Sequence, residues 1–367
     1  MNNNLPPLEI QKLSFHPICS EEEIERVFNI KNAQDYLLKI RAETIADNTR
    51  LFRVYRNKAL RQEETWTLES SFSNVHYTNF LNSLEPDIKK QCQSITAGNI
   101  FSTDPNAFAF NTEYGPVITL DDSLRFFLKF MHLGLLDTNG VVPEYVAMNS
   151  MKIALRVMLQ KETLDFSMDP RGIIPDYISE AIHSPILHQM QFIAGHEYAH
   201  HILGHVPVDI NSKRPILKAM FRSQDDYGFE KIYSYAQKQE FEADVQSIML
   251  GKYNNTEKHK LLRAALLWFA CLELYETVAD TISPPTKVPY HPPAKDRFYN
   301  LIENIKIKGK FDYNQWEKLM NVVDAYKELF KEDISLDYES YEFYGSVYFD
   351  APNTEWRGRE LIDRKDY

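Results

Sequence analysis

Paired cysteines are missing from this chain. Its three cysteines, Cys19, Cys92 and Cys271, lie far apart and form no CxxC pair. That excludes a disulfide framework and a cysteine-rich metal site, and it fits a reducing compartment. Long apolar runs are missing too. The longest, Ala264–Leu274, covers about eleven residues and is interrupted by Glu273, whereas a bilayer span needs ~20. The opening residues, MNNNLPPLEI, show no basic patch followed by an apolar core, so no signal peptide is expected. Net positive charge is absent as well. At −11 the chain is a poor candidate for general binding to nucleic acid or an anionic membrane. No repeat or low-complexity tract is visible. A cytoplasmic protein with no membrane span is the expectation.

What remains is globular in composition, 44% apolar and 25% charged. Its 367 residues allow two domains, or one large domain with appendages. Residues 20–60 carry apolar side chains three and four apart, as a helix does. Ala107–Phe110 and Val117–Leu120 read as strands around a turn at Tyr114-Gly115-Pro116. Helical spacing follows at Ser123–Leu136 and Pro143–Leu159, and residues 165–177 read as a loop. The next helix is predicted over 185–203, with Ser184 as cap, Pro185 in the first position and Gly204 at the end. Further helices are expected at Phe229–Leu250, Glu257–Ile282, Ala294–Lys306 and Tyr313–Phe330. The proline-rich stretch 283–293 interrupts them. The last 35 or so residues are acidic, tyrosine-rich and aperiodic, fitting a tail, an edge strand or a flap. The fold class predicted is α+β, mainly helical with a small sheet. Three regions are expected: 1–99, 100–310 and 311–367.

The chemistry concentrates in the helix 185–203. His196 and His200 are four apart, so they share one helical face and can share an ion. Glu197 lies just off that line, placed to reach a water beside the metal. This is the HExxH arrangement of zinc hydrolases, in which zinc lowers the pKa of water toward ~7 and the glutamate takes its proton. A catalytic zinc needs a third protein ligand and an open position. About forty residues on, Glu240 and Asp244 share a face of the next long helix. Glu240 is assigned as third ligand and Asp244 as the acceptor that fixes a ligand histidine. Glu242, ~200° around the helix, is the backup ligand. His201 and His205 turn away from the ligand face. Leu203 and Val206 stand where a metzincin needs glycine and histidine, which rejects that class.

Four segments in order resemble the gluzincin-type zinc peptidases that include the CAAX prenyl endopeptidases and HtpX-type proteases. They are Pro105–Ala109 with Val117–Thr119, HEYAHHILGH from His196 to His205, Glu240–Asp244, and His291-Pro292-Pro293 with Arg297. The resemblance covers roughly residues 100–300. It implies a zincin-like core, one Zn2+ per chain, and a strand Asn106, Ala107, Phe108, Ala109 at the cleft edge. Paired as an edge strand, that segment would orient a peptide substrate. Phe108 and Phe110 are expected to pack inward. Tyr290, His291 and Arg297 are candidates for stabilising the oxyanion. The function expected is endopeptidase cleavage of an intracellular protein. The alternatives are a silent or latent zinc-binding regulator, its fourth position closed by His291 or a tail residue, and a metal-free binding module.

Overall fold

The computed structural model describes residues 8–62, 65–135, 140–206, 229–284, 291–307, 312–349 and 355–357. The first helices are α1 (Leu8–Leu13), α2 (Glu21–Phe28), α3 (Ala33–Asp47), α4 (Thr49–Gln62), α5 (Val75–Ser83) and α6 (Pro86–Cys92). Polar residues that bond the backbone set the breaks within 20–60. Ser20 and Glu23 form a capping box on α2, and Asn32 caps α3 through Asp35 N–H. Three strands follow, β1 (Thr96–Ile100), β2 (Ala107–Thr112) and β3 (Gly115–Asp121). The sheet order is β1-β3-β2, with β1 parallel and β2 antiparallel to β3. Then come α7 (Ser123–Leu135), α8 (Glu144–Met158), α9 (Asp176–Ile202), α10 (Phe229–Met249), α11 (Asn255–Ile282), α12 (Ala294–Asn304), α13 (Tyr313–Leu336) and the short α14 (Glu339–Glu342). Over the described residues the protein is mainly helical with one small sheet, as the sequence pattern predicts.

Three expectations are corrected. Ser184 is not a cap, because α9 begins at Asp176 and runs through Pro185. Ile178, Ile182 and Ile186 are all buried, four residues apart, so one apolar stripe continues past the proline and packing overrides the break. The division at 99/100 falls inside β1, which pairs with β3. A smaller core contains Phe15, Ile18, Leu38, Tyr55, Trp66 and Phe72, whereas Tyr77, Phe80 and Leu84 belong to the main core. Residues from α5 onward therefore help to build the site.

The third concerns the described part of the C-terminal segment, residues 335–349 and 355–357, where of the three readings left open a loose tail is excluded. Tyr341, Phe349 and Trp356 are buried in the main core, and Phe349 N–H donates to the Arg171 carbonyl. Beneath it lies a buried ion cluster. Arg171 donates through Nε to Glu162 (2.9 Å), and its Nη2 and Nη1 meet Asp165 (2.7 Å) and Asp169 (2.9 Å). Arg156 pairs with Glu162 at 2.8 Å and Arg50 with Asp165 at 3.2 Å. Three arginines thus balance three carboxylates and join α4, α8 and the chain ahead of α9. Removing one member leaves a buried charge uncompensated. Arg171→Met is expected to destabilise the fold by about 3–5 kcal/mol, read as a lower urea midpoint. An unchanged midpoint would refute a structural role for the cluster.

Candidate metal centre

Helices α9 and α10 pack face to face, and α5 packs on α9. Gly195 allows the close approach. A Cβ there would come within 2.8 Å of Phe80 and 3.2 Å of the Ser247 carbonyl. The next residue is His196, so the tight contact sets the HExxH turn directly against α10.

His196 Nε2 and His200 Nε2 are 3.0 Å apart. Glu240 Oε2 lies 3.3 Å from the first and Oε1 3.4 Å from the second. Ligand bonds of ~2.0–2.1 Å in a tetrahedral arrangement separate neighbouring ligand atoms by about 3.3 Å. The spacing therefore fits a metal of that geometry. The donor set fits as well, since two imidazoles and a carboxylate converge without saturating one another. Among the described residues these three form the one group able to hold a metal ion.

The bracing behind His196 is charged and buried. Asp244, fully buried, holds Oδ1 2.9 Å from His196 Nδ1. Arg297 donates to the same carboxylate twice, Nε to Oδ2 at 2.8 Å and Nη2 to Oδ1 at 2.6 Å. Burial disfavours the carboxylate, yet Arg297 and then His196 hold Asp244 below its ordinary range. Glu240 behaves alike: burial opposes its charge, and His291, His196 and His200 hold it well below the usual value. Burial also works against a charged His196, but Asp244 and Glu240 prevail and push it up to about 10. Metal and proton thus compete for His196, as they do at sites whose ligands must be deprotonated. Burial lowers His200.

Glu197 is different. Its residue is 6% exposed, and its carboxylate has no hydrogen bond or ion pair among the described residues. Burial pushes it up to about 7. A buried carboxylate is ordinarily paired, so an unpaired one beside a metal-ligand group is poised for proton transfer.

The other site residues divide. His291 Nδ1 lies 2.9 Å from Glu240 Oε2, but its ring is outside the three-residue ligand group. Arg297, weighed for the oxyanion, is committed to Asp244 and braces instead. Tyr290 lies outside the described residues. Strand β2 has β3 on one side only, which makes it an edge of the sheet among the described residues, and it packs against α9. Asn106 turns its side chain onto Ala107 N–H at 2.9 Å. Phe108, Ala109 and Phe110 are half-buried, while Ala107 belongs to the core. The inward packing expected of the two phenylalanines is therefore incomplete, as an edge strand's single neighbour dictates. Glu242 points away from the ligand group and is mostly exposed. His201 meets the Val117 carbonyl at 3.3 Å, tying α9 to the sheet. His205 is outside the ligand group, as its place off the ligand face predicts, but the sequence reading gave it no partner, and its Nδ1 lies 3.1 Å from His200 Nδ1. The glycine just before it was the available signal.

No protein-family model matches the chain, and comparison with curated proteins and with solved structures gives no significant match.

Proposed function

We propose that the protein is a zinc-dependent endopeptidase of the gluzincin type, with a zincin-like core that acts in the cytoplasm on protein or peptide substrates. The observation that carries this reading is the buried Glu197, without a hydrogen bond or ion pair among the described residues, beside a three-residue ligand group. A structural zinc site is closed by four protein ligands, whereas a catalytic one keeps a position open. Among the described residues three converge here, not four.

His196, His200 and Glu240 would hold the ion. When bound, zinc supplies Lewis acidity, polarising both a water molecule and the scissile carbonyl. Glu197 takes the proton from the attacking water and passes it to the departing amine. The free edge of β2, at Ala107–Ala109, pairs with the substrate backbone and holds it extended. His291, at the rim, donates to the developing oxyanion. No described helix is long and apolar enough to cross a membrane, and the three cysteines are buried and free, in keeping with this setting.

Elemental analysis of the purified protein tests the centre. Wild type is expected to carry about one zinc per chain, and His196→Ala and Glu240→Ala to lose it. Casein cleavage by the wild type should stop with chelator and return with Zn2+. Metal-free wild type after chelator-free purification would sink the reading.

A further inference from the structure

An imidazole that ligates through Nε2 keeps its ring proton on Nδ1 and needs an acceptor there. For His196 that acceptor is Asp244. For His200 it is another imidazole, His205, with the two Nδ1 atoms 3.1 Å apart. Two ring nitrogens at that distance share one hydrogen, so one must donate and the other accept. If His200 donates, neutral His205 carries its own proton on Nε2. That atom faces Glu242 Oε2 at 3.4 Å. The His205 side chain is 8% exposed, Glu242 54%.

The chain reaches this arrangement through the end of α9. Gly204 has φ +71°, the left-handed conformation glycine adopts without strain. His205 N–H donates to the His200 carbonyl at 2.9 Å, and Gly204 N–H to the His201 carbonyl at 3.2 Å. These are the paired closing bonds of a Schellman motif. The reversal folds residue 205 back over the last helical turn and lays its ring against His200.

We propose that His205 is a positioning residue for His200, fixing its tautomer and ring orientation through the Nδ1–Nδ1 hydrogen bond, with Glu242 behind it. The proposal rests on the metal centre proposed above. It makes the two ligand histidines unequal. His196 is braced by a buried ion pair, His200 by a neutral ring whose own support is at the surface.

The test is zinc affinity, by competition with a chromophoric chelator, for wild type, His205→Ala, His205→Leu and His205→Asn. Asparagine places an amide oxygen where Nδ1 stood and keeps the acceptor, and leucine fills the space without one. Alanine and leucine are expected to weaken zinc binding roughly 10–100-fold and asparagine by less than about threefold. Visible bands of the Co2+-loaded protein should shift in the first two variants and hold in the third. Leucine carries the test should the alanine variant fail to fold. Wild-type affinity in alanine or leucine would overturn the proposal. So would an asparagine variant as weak as alanine, which would make the role one of volume. A wild type that binds no zinc overturns the metal centre itself, a result distinct from either.

Discussion

Glu197→Gln is expected to keep its metal and lose roughly 10²–10⁴-fold in hydrolysis rate, the usual contribution of a positioned general base. Glutamine has nearly the same shape, and among the described residues no hydrogen bond or ion pair depends on the Glu197 charge. The variant should therefore fold normally. Its stability gives an independent readout. Burial raises Glu197 to about 7, above its unfolded value of 4.5. A group raised in this way contributes stability that is present below the unfolded value and lost as pH rises through the folded one. Above pH ~7 the wild-type carboxylate is charged, buried and without a partner among the described residues, and glutamine removes that penalty. Metal-free Glu197→Gln should then melt above metal-free wild type at pH 8, with the gap closing toward pH 4. A variant that hydrolysed casein at the wild-type rate would remove Glu197 from the mechanism.

The ligand group was legible because helical periodicity alone aligns residues four apart. His196 with His200, and Glu240 with Asp244, needed no tertiary information to be placed on common faces. That the two faces meet depends on Gly195, whose missing Cβ gives α9 and α10 their close contact. Strands β2 and β3 were legible from their apolar residues and the turn between them. Strand β1 was not, because Thr-Ala-Gly-Asn-Ile lacks both alternation and β-branched density, and only pairing with β3 makes it a strand. The start of α9 was misplaced because proline is a local signal and the Ile178–Ile186 stripe a longer one. The C-terminal segment showed no period because isolated anchors secure it. Tyr341, Phe349 and Trp356 are buried, while Phe343 and Tyr344 between the first two are exposed. Partners such as Arg297 with Asp244, 53 residues apart, leave no mark on local pattern at all.

Arg297 is the site residue whose removal should disturb the most. Asp244 accepts from His196 and twice from Arg297, and it is fully buried. Arg297→Leu leaves that carboxylate facing Glu240 with one cation fewer between them. Breaking a buried pair in this way costs roughly 3–5 kcal/mol, which should appear as a lower urea midpoint in the metal-free protein. Asp244 also orients His196, so zinc affinity should fall about 10–100-fold. Arg297→Lys should rescue little, because a single ammonium cannot supply both Nε and Nη2 in the fork that meets the two carboxylate oxygens. Adding Asp244→Asn to Arg297→Leu should recover part of the stability, since the uncompensated charge is gone, while affinity stays low. The same variant separates two roles for this arginine. If it stabilised an oxyanion, Arg297→Leu would lower kcat at unchanged zinc affinity and unchanged stability. The bidentate contact with Asp244 predicts the reverse order, with metal and fold affected first and turnover following from them.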